Sequence, residues 1–229
     1  LATFKRRVPA AQAVDAAAIA ALEPDLGERF RHGLFLPDEA HLDPRAALQH
    51  LHERLSTRQV MPQPAADLEG TVIDCRGLSA QAELGDLRGV KGEMVVVRSP
   101  DISLSRPVRL LHPRFPLYIV PRGGGVFMLG ATQIESSARR HATLRSVMEL
   151  LSAAYALHPA FGEAELLEIG VDARPAFPDN QPRIRQTAER IYANGLFRHG
   201  FLLSPALARM TADLVLEHKT PEDWYEDRR

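Results

Sequence analysis

Apolar and polar residues alternate most clearly in the middle of the chain, with the period of two that belongs to strands. Glu93 to Arg98, Pro107 to Leu111, Leu117 to Pro121 and Val126 to Ala131 are short β-prone runs, and they predict successive strands of one antiparallel sheet. Between the last two, Gly123-Gly124-Gly125 supplies the positive φ angles of a tight hairpin. Leu166 to Arg174 alternates as well: Leu167, Ile169, Val171 and Ala173 share one face, and Glu168, Gly170, Asp172 and Arg174 the other. Thr71 to Ser79 reads as a short buried strand entering a glycine turn, and Arg190 to Ala193 as another strand.

Helical spacing occupies other stretches. Ala-rich Val8 to Leu22 predicts a helix ended by Pro24. Asp43-Pro44 is a helix start, with Ala46, Leu48, Leu51 and Leu55 as the apolar side that follows. Thr143 to Leu157 predicts a helix whose Leu144, Val147, Met148, Leu151 and Tyr155 face the core. Gly195 to Phe201 reads as a glycine-bracketed loop, before a helix that begins at Ser204-Pro205 and carries Leu207, Met210, Leu214 and Val215. Arg31 to Leu42 predicts a strand pair around Pro37-Asp38-Glu39, and Met61 to Gly70 a Pro/Ala connection. Strands and helices mix without strict βαβ order, so the expected class is α+β, or mixed α/β.

Composition changes this picture mainly by subtraction. The chain has 229 residues, 45% hydrophobic and 25% charged, with a net charge of -1. That balance gives no electrostatic support to binding nucleic acid or an anionic membrane. No apolar run approaches the roughly 18 residues of a membrane span, and no signal-peptide pattern is present. Cys75 is the sole cysteine, which rules out an internal disulfide and a cysteine zinc cluster, and a reducing cytoplasm is the expected location. The nine histidines show no recognised ligand spacing, so no metal is expected. The chain begins at Leu1, as a piece of a longer polypeptide would.

Three places carry candidate chemistry. Tyr118 lies on a hairpin and needs a partner for its hydroxyl; a core tyrosine bonded to a backbone carbonyl satisfies that need as well as a site would. Arg174 precedes Pro175, so its backbone is extended, and its planar fork matches a carboxylate; a salt bridge to Asp172 or a surface glutamate is the simpler alternative. The 195–204 segment feeds a helix N-terminus, whose free N–H groups favour negative charge. Neither GxGxxG nor GxxxxGK[ST] occurs anywhere in the 229 residues.

Five motifs follow one another in order: 72–78 (VIDCRGL), 118–122 (YIVPR), 130–132 (GAT), 173–175 (ARP) and 197–206 (FRHGFLLSPA). Together they resemble the D-amino-acid oxidase family of FAD-dependent oxidoreductases, and most of all its glycine oxidases of thiamine biosynthesis. The resemblance implies an FAD-binding domain interleaved with a substrate domain whose large antiparallel sheet covers the flavin. It places residues 1–37 and 88–174 in the substrate domain, and 38–87 and 175–229 in the FAD-binding domain. It further implies that Arg174 binds the substrate carboxylate, that Tyr118 assists, and that Arg198 stands in the active site. Arg76, Gly77 and Leu78 match the turn approaching the cofactor, and Phe197, Arg198, His199, Gly200 and Phe201 the loop beside the flavin ring.

The implied reaction is oxidation of glycine or another small amino acid by hydride transfer to FAD, yielding an imine and then the oxo acid, ammonia and hydrogen peroxide. The chain departs from the family by lacking the GxGxxG unit, and by carrying Gln133 and Pro116 where the glycine oxidases have methionine and histidine. The first departure leaves a second reading, a flavin-free remnant that binds a small carboxylate or a protein. It also implies exposed apolar surface and self-association into a homo-oligomer.

Overall fold

The computed structural model describes residues 2–55, 70–111 and 117–229; the expected connection over residues 61–69, and Pro116, lie outside them. The chain divides into two compact units. One comprises Leu1–Asp43, Glu93–Thr132 and Arg140–Val171; the other comprises Pro44–Gly92, Gln133–Arg139 and Asp172–Arg229. Strands β4 (Arg88–Arg98) and β9 (Glu165–Ala176) contribute residues to each.

The first unit is built on an antiparallel sheet. Strands β5 (Val108–Leu110), β6 (Leu117–Pro121), β7 (Val126–Gly130) and the Glu93–Arg98 part of β4 lie side by side in that order. Tyr118 pairs with Gly130 and Pro121 with Phe127, so the three glycines form the hairpin turn, at φ +83°, +59° and +72°. Helix α4 (Leu144–Leu157), capped by the Thr143 hydroxyl, packs on β6 and β7. The core combines Val95, Val97, Leu117, Ile119, Phe127 and Leu129 from the sheet with Leu150, Ala154, Leu157 and Phe161.

The α4 face is turned part of the way from the expected one: Val147 and Leu151 pack against the core as expected, while the other three expected residues do not. Leu150, Ala153, Ala154 and Leu157 are buried, whereas Leu144, Met148 and Tyr155 are 77%, 56% and 58% exposed. Both stripes obey helical spacing; the alanines win because small side chains let the helix backbone approach the sheet.

The start of the chain is also corrected. Helix α1 (Ala2–Arg7), strand β1 (Gln12–Asp15) and helix α2 (Ala16–Leu22) replace the single helix expected over Val8 to Leu22. Asp15 caps α2 through Ala18 N–H at 2.9 Å, and β1 pairs with β2 (His32–Phe35) instead of a strand beyond Pro37. A cap and a cross-strand partner outweigh the alanine propensity before residue 16.

The second unit holds a four-stranded sheet in the order β12 (Tyr225–Asp227), β10 (Arg183–Gln186), β11 (Arg190–Asn194) and β3 (Val72–Asp74). The β11–β3 pair is parallel and the β10–β11 pair antiparallel, and β8 (Ile134–Glu135) joins β4 at Lys91. Ile73 is 43% exposed, so β3 is less buried than its apolar run suggested. Helix α3 (Pro44–Arg54) starts at the expected proline, yet none of its residues is buried, and Leu48 and Leu51 are more than half exposed.

Helix α5 (Gly200–Glu217) begins four residues before Ser204. Pro205 therefore lies inside it, past the first turn, where it removes one i→i−4 bond and its ring crowds the carbonyl of Phe201. Ile184, Ile191, Leu207 and Leu214 bury α5 against the sheet. No described helix is long and apolar enough to cross a membrane.

Candidate active site

Arg174 lies on β9, which continues through Pro175 to Ala176 instead of ending at the arginine. A proline is tolerated where no ladder N–H is needed. The simpler partner expected for Arg174, Asp172, is engaged elsewhere: Arg139 grips it with bonds of 2.6 and 3.2 Å, and its Oδ1 also accepts Ala173 N–H at 2.7 Å. The Arg139 guanidinium holds the Asp172 carboxyl below the usual carboxylate range, against the opposing effect of burial.

The half-buried Arg174 side chain crosses to Gly92 on β4. A Cβ on Gly92 would stand 2.5 Å from both Cζ and Nη1, and against Nη2 as well. Near-equal approach to three guanidinium atoms means that the plane lies roughly face-on over the glycine. The donors of the fork lie in that plane, along its edge.

The Arg76-Gly77-Leu78 turn follows β3 in the same unit. Asp74, 4% exposed, accepts Arg76 N–H at 3.0 Å, Nε at 2.9 Å and Nη2 at 2.6 Å, while Glu83 accepts Nη2 at 2.8 Å. Burial pushes the Asp74 carboxyl up, but the side-chain and backbone hydrogen bonds of Arg76 outweigh it, and the group stays below its ordinary value. The Arg76 guanidinium thus serves the turn. Gly77 adopts φ +61°, and the only atom within 4 Å of a Cβ there would be Pro175 Cγ at 3.7 Å.

The third segment closes on both of these. Asn194 Nδ2 donates to Gly77 O at 2.9 Å, and Asn194 Oδ1 accepts Gly195 N–H at 2.8 Å. Phe197 N–H donates to Pro175 O at 3.0 Å from a left-handed conformation, φ +47°, that a non-glycine residue adopts only under constraint. The 76–78 turn, the 174–175 step and the 194–197 loop are therefore joined by backbone and amide hydrogen bonds. Leu78 belongs to the 3-10 turn Gly77–Ala80 and packs on a core of Ala80, Leu84, Leu87, Phe177 and Tyr192.

Arg198 is exposed, with Nη1 at a long 3.4 Å from Gln133 Oε1. His199 is the N-cap residue of α5 and makes no side-chain cap bond, and Gly200 and Phe201 form the first helical turn instead of extending the loop. Asn194 and Gly92 escaped the sequence reading. Asparagine before a glycine at a strand end, and a glycine inside a strand, are the signals that mark them.

Tyr118 stands in the first unit. It faces Gly130 across the β6–β7 pair, and a Cβ on Gly130 would meet Tyr118 Cε2, Cζ and Oη at 2.7, 2.7 and 2.8 Å. The ring therefore lies across the space that this glycine leaves. Among the described residues no group of three histidine, cysteine or carboxylate side chains forms a metal site.

An antiparallel sheet with its helix in one unit, and a parallel strand, glycine turn and loop-to-helix step in the other, make this a protein of mixed helices and sheets. The chain belongs to the FAD dependent oxidoreductase (DAO) family, whose profile matches residues 1–214.

It is 52% identical over 226 residues to a Rhizobium etli protein named thiamine biosynthesis oxidoreductase ThiO, with 96% of this chain and 69% of that protein covered. Against a glycine oxidase of Bacillus licheniformis it is 28% identical over 235 residues, covering 90% of this chain and 62% of the relative. The crystal structure of glycine oxidase from Bacillus cereus shares the fold, with a TM-score of 0.77 at 22% identity over 96% of this chain and 70% of that one. The chain thus spans between three fifths and seven tenths of each of these proteins.

FAD is the cofactor of the family. The residues present fit one part of it: a glycine backbone open at Gly77, and an α5 N-terminus whose N–H groups no His199 side chain occupies. Such N–H groups suit the electron-rich edge of a flavin ring. The pyrophosphate fingerprint is not among these 229 residues.

Proposed function

We propose that the protein is an amino-acid oxidase that acts on glycine or a comparably small amino acid. The reaction takes the amino acid to its imine, which water hydrolyses to the oxo acid and ammonia, with dioxygen reduced to hydrogen peroxide. FAD supplies the two-electron chemistry when bound. Names borne by the relatives, ThiO and glycine oxidase, support this reading and suggest a role in making thiamine.

The observation that carries the reading is Arg174. Its guanidinium is seated face-on over Gly92, and the adjoining Pro175 O is bonded to the loop that leads into α5. Arg174 binds the substrate carboxylate through two parallel hydrogen bonds and so orients the Cα–H. Tyr118, by its match to the family motif, assists in substrate binding. Arg198, in the 197–201 segment, helps to set the polarity beside the flavin, with Phe197, His199, Gly200 and Phe201 as its neighbours along the chain. The Arg76-Gly77-Leu78 turn approaches the cofactor through the Gly77 backbone. Residues 38–87 and 175–229 form the FAD-binding part, and 1–37 and 88–174 the substrate part. No side-chain acid or base is required in this scheme.

Replacing Arg174 by lysine tests the scheme, because an ammonium is a point charge without a fork. Breaking a charge-assisted pair on one side costs about 2–5 kcal/mol, which is roughly a thirty- to several-thousand-fold loss in kcat/KM toward an amino acid. The same change is expected to leave kcat/KM toward an amine without a carboxylate within a few-fold. Equal losses for the two substrates would show that Arg174 supports the sheet and does not read the substrate.

A further inference from the structure

We infer that Gly92 is a positioning residue for substrate recognition: the absence of its side chain creates the seat that aims the Arg174 guanidinium. This rests on the reading of Arg174 as the carboxylate-binding residue. Gly92 lies within β4, where a glycine weakens the strand by leaving its backbone loose and offering nothing to pack. Neither a turn nor a positive φ explains it, since it lies inside a strand and its φ is not in the left-handed range.

What does explain it is the guanidinium. The position where a Cβ would stand is 2.5 Å from Arg174 Cζ and Nη1, against 3.4–4 Å for ordinary van der Waals contact. Any other residue would therefore push the plane away by about 1 Å.

The device recurs in the other unit. Tyr118, the second residue matched to the family's site, lies across Gly130 of its neighbouring strand with its ring atoms at 2.7–2.8 Å from the missing Cβ. On β4 itself the neighbour two residues on reverses the pattern: Met94 fills the space over Gly170 of β9, its Cε at 2.5 Å. Gly92 and Met94, two apart on β4, share a face, while their partners on β9, Arg174 and Gly170, are four apart.

Bidentate recognition explains why the seat matters. A functional fork must be held within about 0.5 Å and 10–20° of its working geometry. A flexible arginine side chain has no stiffness of its own to achieve that, whereas a flat backbone surface on one face removes its freedom to tilt. A displacement of about 1 Å, from a change that adds one methyl group, is expected to lower the rate of a well-oriented reaction by about 100-fold.

The test compares Gly92→Ala, Arg174→Lys, Arg174→Ala and the double variant Gly92→Ala/Arg174→Ala in the FAD-loaded enzyme. For each, the ratio of kcat/KM for glycine to kcat/KM for a small amine without a carboxylate is measured, together with the dissociation constant for acetate by calorimetry. Gly92→Ala is expected to lower the ratio by about 100-fold and to weaken acetate binding, with KM changing more than kcat. In the Arg174→Ala background the same glycine change is expected to have no further effect on either quantity, since nothing is left to displace.

If Arg174→Lys lowers the ratio and Gly92→Ala does not, the seat is overturned and the role of Arg174 stands. If neither lowers it, the reading of Arg174 itself fails. Should Gly92→Ala alone fail to fold, the double variant relieves the overlap and folds; its failure to fold as well would overturn the inference.

Discussion

Two kinds of arginine occupy the second unit. Arg76 and Arg185 are fastened along their edges: Arg76 to Asp74 and Glu83, and Arg185 to Asp86 at 2.7 and 2.8 Å and to Glu226 at 2.8 Å. Arg185 is 3% exposed and also stacks on Phe177, with 5.0 Å between Cζ and the ring centroid. Arg174 is held by its face, over a glycine. Fastening an edge engages the directional donors, whereas contact over a face limits the tilt of the plane. In the proposed scheme the same side chain is a structural tie in one place and a reader of the substrate in the other.

The comparison is broken most severely at Arg185. Removing the buried Arg185 takes the cation from Asp86, while Glu226 keeps Arg183 and Arg228; with both carboxylates partly exposed, the cost is about 1.5–3 kcal/mol, below that of a fully buried pair. Arg185→Ala is expected to unfold at correspondingly lower denaturant, and a loss below about 1 kcal/mol in urea titration would mean that the network is as weak as a surface pair. Substituting methionine, which keeps the volume but not the charge, is expected to destabilise as well, because the two carboxylates remain.

The strands around the proposed site were legible because each rests on a local signal. Leu117–Pro121, the triple-glycine turn and Val126–Gly130 needed only alternation and positive φ, and they occur as expected. The helix starting at Pro44 was equally plain. The burial of faces was not legible, since it depends on what packs there: α4 turned its alanines to the sheet and left Leu144 and Met148 outside. Propensity misled at Gln12–Asp15, where pairing with β2 outweighed an alanine-rich context, and at Pro205, which a helix begun at Gly200 absorbs.

Arg174 and Tyr118 stood out by residue type and motif. Gly92 did not, and Gly130 appeared only as part of the 130–132 motif, because a glycine's role in seating another side chain is a property of two strands, and one strand's sequence shows half of it.

A smaller effect is expected from acid, and the carboxylates that fasten these arginines contribute to it. Hydrogen bonds from Arg185 hold Asp86 below its ordinary value; burial raises Glu226, but Arg183 and Arg185 outweigh it, and Asp74 behaves likewise through Arg76. A carboxyl whose value is depressed on folding contributes stability that is complete above its unfolded value, about 3.8 for aspartate and 4.5 for glutamate, and that fades as pH falls through the folded value. The urea midpoint is therefore expected to be nearly level from neutral pH to about pH 5 as far as these groups are concerned, and to decline below about pH 4. Asp74→Asn is expected to flatten part of that decline while lowering the plateau. A decline of unchanged steepness in this variant would assign the acid sensitivity to other carboxylates.

The smallest effect on stability, and the sharpest contrast, belongs to Arg174→Ala. The side chain is half-buried, so its charge is partly hydrated and whatever polar interactions it makes within the protein are of the surface kind, worth about 0–1 kcal/mol. Its removal uncovers the backbone of Gly92, which lies on the less buried face of β4, where water can take the vacated place. The loss is expected to be within about 1 kcal/mol, below that of Arg185→Ala, although both changes delete the same group from the same unit. In activity the order is expected to reverse, with Arg174→Ala losing at least as much as Arg174→Lys toward an amino acid. Urea titration and steady-state kinetics on the two alanine variants decide the matter together. A large loss of stability at Arg174 would make it another tie in the framework, and the distinction between an edge fastened by carboxylates and a face seated on glycine would lose its functional meaning.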